Sequence, residues 1–171
     1  MDKLALKDVF VRMLKHKEDE PSLAPAGADA AVLIVDDSRT IVRALSLMLE
    51  REGYLTLTAA DGLQAVTLAK FHKPDLILMD IVMPRMNGFE ATRILTSDPE
   101  TKKIPIIMVS GTDQPSDHIW SMRLGAKGFL SKPVSREALL ARVRVVLALA
   151  RRAENRTPPE DSSISVTAVK Y

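Results

Sequence analysis

Short, unbroken apolar runs that end in carboxylates constrain this chain more than any other feature. "AVLIVDD" closes on Asp36 and Asp37, and "DLILMD" closes on Asp80. Continuous apolar runs of this length read as strands buried on both faces, the pattern of a parallel sheet covered by helices. In such sheets the carboxyl ends of the strands form the ligand crevice. Asp36, Asp37 and Asp80 meeting there repel one another, and a hard divalent cation or a proton has to offset that repulsion. The residues themselves therefore point to a Mg2+ site beside a carboxylate that accepts a phosphoryl group.

Strand and helix signals alternate along the rest of the chain, which argues for βαβ units. The first strand is expected over Ala31 to Asp36. Ser38 then caps a helix that buries Ile41, Val42, Leu45, Met48 and Leu49 and ends at Gly53. "LTLTA" is the second strand, and Asp61 with Gln64 makes a capping-box-like start for a helix that runs to about His72, before Pro74. Leu76 to Asp80 is the third strand. "MPRMNGFE" reads as a structured loop leading to a helix at Phe89 to Thr96, and "IPIIMVSG" is the fourth strand. A fourth helix over Ser116 to Leu124, a short strand in "GFLSKP" and a last helix from Ser135 through Ala153 complete the alternation.

The flanks differ in character. Residues 1–18 carry Leu6, Val9, Phe10 and Met13 at helical spacing and predict an amphipathic helix, which packs on the chain's own domain or on a second copy in a homodimer. Residues 19–30 read as a proline-broken linker, 31–153 as the domain and 154–171 as a disordered tail.

Composition excludes several functions. A chain of 171 residues without cysteine has no disulfide, thiolate metal site or thiol nucleophile. Its net charge of +2 lacks the basic footprint of a DNA binder. No apolar stretch approaches the roughly 20 residues of a membrane span, and the first residues lack a secretion-signal layout, so a cytoplasmic protein is expected.

"LIVDDS", "LMDIVMPRMNG", "MVSGTD" and "GFLSKP", in this order over about residues 31–150, resemble the receiver domain of bacterial two-component response regulators, the CheY-like fold. The longer run "IVMPRMNGFEATRILTSDPETKKIPIIMVSGTDQ", followed by "IWSMRLGAKGFLSKPV", is similar to single-domain regulators of type IV pilus twitching motility and chemotaxis. The resemblance implies a doubly wound five-stranded parallel α/β sheet in the order 2-1-3-4-5, with helices on both faces and here an N-terminal helical extension.

It also implies a site. Asp80 would be the phosphoacceptor and nucleophile, and Asp36 and Asp37 would hold Mg2+ together with Asp80 and the backbone carbonyl of Val82. Lys132 would pair with the phosphoryl oxygens, with a cis bond to Pro133 after it. The Ser110 hydroxyl would turn toward the phosphoryl group beside an open Gly111, and Phe129 would swing inward with it. Plain core is the competing reading of Phe129, which can fill the inner pocket but lacks the hydroxyl that a tyrosine would offer a partner. Trp120 is a partner contact or filler, and His16, His72 and His118 read as ordinary surface residues.

The resemblance implies a phosphorelay switch that takes phosphate from a histidine kinase. It would signal through the face built by the fourth helix, fifth strand and fifth helix. The short polar remainder after that helix leaves no room for a DNA-binding or catalytic output, so output by protein contact is expected. A phosphate sink or assembly adaptor without its own effector fits the same residues. An aspartate-nucleophile phosphohydrolase fits less well, because Val82, two residues after Asp80, has no proton to donate. The chain is thus expected to be no enzyme beyond phosphotransfer to itself and slow autodephosphorylation.

Overall fold

The computed structural model describes residues 30–155 apart from Asp113. The expected helix over residues 1–18, nearly all of the linker and tail, and His16 lie outside these. Five strands alternate with five helices: β1 (Ala31–Val35), α1 (Arg39–Glu50), β2 (Leu55–Ala59), α2 (Gly62–His72), β3 (Leu76–Asp80), α3 (Gly88–Ser97), β4 (Ile106–Ser110), α4 (Pro115–Arg123), β5 (Gly128–Ser131) and α5 (Arg136–Glu154). The strands form one parallel sheet in the order β2-β1-β3-β4-β5.

The burial of each strand follows from its place in that order. All five residues of β3 and of β4 are buried, which is why they read as unbroken apolar runs. The edge strand β2 is exposed at Leu55 and Thr58, and β5 is half-buried at Phe129 and exposed at Ser131. Alternate residues of the central strands feed two cores. Val32, Ile34, Leu78, Ile107 and Val109 pack under α1 and α5 with Leu49, Leu139 and Val143. Leu33, Val35, Ile77, Met79 and Met108 face Ala65, Ala69, Ala91 and Leu95 of α2 and α3 on the other side. Small residues on those two helices let them sit close to the sheet.

Helix starts are set by side-chain caps. Ser38 accepts from the Ile41 N–H, Asp61 from Gln64 at 2.9 Å and Ser135 from Ala138 at 3.1 Å. Each satisfies a backbone donor that the first turn leaves unpaired. The Gln64 side chain reaches past the cap to the Ala60 N–H at 2.7 Å, so α2 starts with a variant of the expected capping box. A full box forms at α3, where Asn87 accepts from Glu90 N–H and Glu90 accepts from Asn87 N–H. That box starts α3 at Gly88, one residue before the expected start. α4 has no side-chain cap and begins at Pro115, which needs no partner for its missing N–H.

Two further boundaries shift slightly. β1 stops at Val35, and Asp36 sits just past its end, with its N–H donating to Ala59 O at 3.1 Å. Ala30, expected as linker, is 1% exposed and accepts from the Leu55 N–H, so it is part of the fold.

Candidate functional site

The parallel sheet brings the carboxyl ends of its strands to one rim. Val35 pairs with Met79, Asp80 with Val109, and Ser110 with Ser131, so the residues that follow each strand end are neighbours. Asp36 and Asp80 are 3% and 4% exposed, while Asp37 points outward. Each of these acids places one carboxylate oxygen within 4.8 Å of the others.

Lys132, just past β5, reaches across the rim to this cluster. Its Nζ lies 2.6 Å from Asp36 Oδ2 and 2.8 Å from Asp80 Oδ1. Its backbone N–H donates to Ser110 O at 2.6 Å, and the bond to Pro133 is cis. Asp36 is further held by the Ser38 N–H, which donates to Asp36 Oδ1 at 2.8 Å.

The electrostatics follow from crowding in a partly dry site. Burial raises the Asp80 carboxyl above its ordinary value, Lys132 pulls it back and the Asp36 charge raises it again; the net shift is upward. Burial alone would lower the Lys132 ammonium, but its hydrogen bonds to Asp36 and Asp80 outweigh this and hold it above the ordinary range. The result is a carboxylate cluster only partly neutralised by one cation. Hard oxygen donors in this number suit Mg2+, which prefers carboxylate and water oxygens.

The other expected residues fall around this centre in different ways. Val82 lies two residues past the end of β3, and its side chain is 72% exposed. Ser110 ends β4 and is 1% exposed, but its hydroxyl bonds Thr112 and not an acid: the Thr112 N–H donates to Ser110 Oγ at 3.0 Å, and the two hydroxyls lie 3.1 Å apart. Thr112 in turn donates to Asp117 of α4. A side chain at Gly111 would meet nothing within 4 Å, so the rim is open there. Phe129 is half-buried, with the His118 ring 5.2 Å away.

His118 is exposed, as expected of a surface residue, and its ring lies beside the aromatic of β5. His72 packs edge-on against Phe71 far from the site, at 4.8 Å between rings. Trp120 is 55% exposed, with the Arg123 guanidinium 5.8 Å from its ring centroid. With Phe89, Arg93 and Leu124 it lines a cleft between α3 and α4.

Three contributors escaped the motif reading. Ser110 carries an ST-turn signal whose partner lies two residues on, which could have marked Thr112. Gly88 lies under the Asp80 carbonyl, where a side chain would clash, and its N–H donates to Ile81 O at 2.9 Å. Arg85, at φ 65°, hydrogen-bonds the buried Asp61 carboxylate and ties the loop after β3 to the start of α2. No local pattern announces that last pairing, because its partners lie in separate loops.

The description "response regulator receiver domain" belongs to the family model that matches residues 32–144. Protein PilH of Pseudomonas aeruginosa is 51% identical over 119 residues, covering 70% of this chain and 98% of PilH. The response regulator PleD of Caulobacter vibrioides is 42% identical over 115 residues, 67% of this chain, and there the match spans only 25% of the relative. Among solved structures, chemotaxis protein CheY4 of Vibrio cholerae superposes with a TM-score of 0.66 at 37% identity, over 70% of this chain and 99% of that one. A chain of the CheX–CheY–BeF3–Mg2+ complex from Borrelia burgdorferi gives 0.68 at 33% identity, over 72% and 97%.

Proposed function

This chain belongs to the response regulator receiver domain family, and we propose that it is a switch set by phosphoryl transfer from a histidine kinase to Asp80. One observation carries this reading: Lys132 Nζ bridges Asp36 and Asp80 at 2.6 and 2.8 Å, on the rim where a phosphoryl group would arrive. An Asp80 carboxylate oxygen attacks phosphorus, the P–N bond of the phosphohistidine breaks, and the imidazole leaves with a proton from solvent. Lys132 then exchanges its contact with the Asp80 oxygen for the phosphoryl oxygens. Mg2+ held by Asp36, Asp37, Asp80 and the Val82 carbonyl would neutralise charge on the transferring group.

Ser110 and Phe129 convert that event into a surface change. The Ser110 hydroxyl leaves Thr112 to donate to the phosphoryl group, and Phe129 moves into the space that opens. A buried phosphoryl group biases two states only through such differential contacts. The surface read by an effector is the α4–β5–α5 face, to which α4 brings exposed Met122, while Trp120 turns toward α3. Hydrolysis is slow, because the exposed Val82 side chain offers neither a proton donor nor an acceptor near the acyl phosphate. Similarity to PilH over nearly all of that protein supports a place in a pilus-linked signalling route in the cytoplasm.

Incubation with acetyl phosphate and Mg2+, followed by intact mass, tests the assignment. One added phosphoryl group in the wild type and none in Asp80→Ala is expected. Uptake by Asp80→Ala at the wild-type level removes Asp80 from the role, and turnover of added phosphomonoesters replaces the switch with a phosphohydrolase. A protein retained from cell extract only by the phosphorylated form supports an effector, whereas phosphorylation with no such partner favours a phosphate sink.

A further inference from the structure

The opposite rim of the sheet carries a trench that the phosphoryl chemistry does not use. Its floor is apolar: Pro105 before β4, and Val146, Leu149, Ala150 and Ala153 on the last turns of α5. Leu149 is 59% exposed there. Lys102, Lys103 and Lys127 line its margin, together with Glu154. A second depression shares Lys103, Pro105, Ala150 and Glu154 with the first and continues to Asp75. Asp75 is the residue whose carboxylate accepts the Ala31 N–H at 2.7 Å, at the point where the chain enters the sheet. The trench therefore runs from the entry point of the chain to Leu149.

We propose that this trench is the docking groove for the amphipathic stripe Leu6, Val9, Phe10 and Met13 of the same chain. The four residues have the i, i+3, i+4, i+7 spacing of anchors that an amphipathic helix lays into an apolar groove. Reach is ample. Residues 14–29 span roughly 50 Å when extended, while β1 and β4 are two strand spacings, about 10 Å, apart. Leu14, Lys15, His16 and Lys17 separate the stripe from Glu18, Asp19 and Glu20, and these three acids, nearer the domain, are the ones that can face the lysine margin. The segment after α5 fits less well, since Ile164, Val166 and Val169 are β-branched and do not share that spacing. Docking on this rim ties the N-terminal segment to α5, one wall of the face proposed for effectors, without covering the acidic site. The proposal stands independently of phosphorylation.

Hydrogen exchange read by mass spectrometry on the full chain tests it, comparing wild type with Phe10→Asp and Leu149→Asp. Both changes fall at positions that the folded core does not require: Phe10 precedes the domain and Leu149 is exposed. Expected are slow amides over residues 4–14 and over the end of α5 in the wild type, faster by about tenfold in both variants, with a monomeric mass throughout. If Leu149→Asp fails to fold, Phe10→Asp alone still reads the groove. Exchange at the end of α5 that is identical in wild type and Phe10→Asp overturns the proposal. So does protection that disappears on dilution together with a dimer, which assigns the groove to a second copy. Protection lost on Ile164→Asp and kept on Phe10→Asp assigns it to the C-terminal segment and overturns the proposal as well.

Discussion

Gly88 lies so close beneath the Asp80 backbone that a Cβ there would fall inside the contact radius of the Asp80 carbonyl oxygen and against Ile81 Cα. The obstacle is backbone, which cannot rotate away as a side-chain end would. Gly88→Ala should therefore destabilise the fold by about 1–3 kcal/mol, the usual cost of overpacking. It should also displace the Asp80 carboxylate relative to Lys132. Urea unfolding measures the first effect, and a slower uptake of phosphate from acetyl phosphate reports the second. A variant with wild-type midpoint and wild-type uptake would show that the loop absorbs the methyl group.

Asp80 has a pH signature opposite to that of an ordinary surface carboxylate. Burial, with the Asp36 charge adding to it, outweighs Lys132 and keeps the Asp80 carboxyl above its ordinary 3.8 in the folded protein. The folded state then binds that proton more tightly than the unfolded chain does. Its contribution to stability is fully present below 3.8 and is lost as pH rises through the raised value. Asp98, held low by its hydrogen bond to Lys70, acts the other way: its contribution is present above 3.8 and is lost as pH falls through the lowered value. In Asp80→Asn the first loss is absent. Urea midpoints of this variant should exceed those of the wild type by a margin that grows as pH climbs past about 4 and then levels off. Parallel curves would show that Asp80 titrates normally.

The acidic rim was legible because its signal is local. A strand buried on both faces leaves no polar residue until it reaches the crevice, so Asp36 and Asp80 mark their own strand ends. Caps were legible for the same reason, since Ser38, Asp61 and Ser135 bond backbone three residues away. Contacts between loops were not. Arg85 meets Asp61 across 24 residues, and His118 lies beside Phe129 from a helix whose facing is set by packing. Periodicity assigns a face to a residue but not the loop that will lie across it. The trench at the far rim was hidden likewise, because its walls come from the α3–β4 loop, the α4–β5 turn and the end of α5.

Tyr54 is buried at 2% exposure, and its hydroxyl has no hydrogen-bond partner among the described residues. Burial raises its ionisation above the ordinary range; the Arg144 guanidinium offsets part of this without forming a well-aligned hydrogen bond. An unpaired buried hydroxyl costs about 1–3 kcal/mol of desolvation. Tyr54→Phe keeps the ring packed in the α1–α5 core and removes that cost. The variant should be as stable as the wild type or more stable, by up to about 1 kcal/mol in thermal unfolding. A clear loss of stability would mean that the hydroxyl is satisfied by water.

Mg2+ should stabilise the unphosphorylated protein through the same charges that make the acidic rim costly. Asp36 and Asp80 share a single ammonium, and Asp37 adds a further carboxylate oxygen within 4.8 Å. A cation that binds the folded state alone shifts unfolding by about 2.7 kcal/mol at a hundredfold excess over its dissociation constant. Thermal unfolding in millimolar Mg2+ should therefore move upward, against a control of equal ionic strength that separates binding from screening. Asp37→Asn is the discriminating variant. Asp37 is exposed, so its loss spares the core and relieves repulsion, and the metal-free protein should melt no lower than the wild type. The Mg2+ response should nonetheless shrink, because a charged oxygen has been taken from the set. An equal response in wild type and Asp37→Asn would place the ion elsewhere, and no response in either would leave Lys132 as the sole counter-charge of the rim.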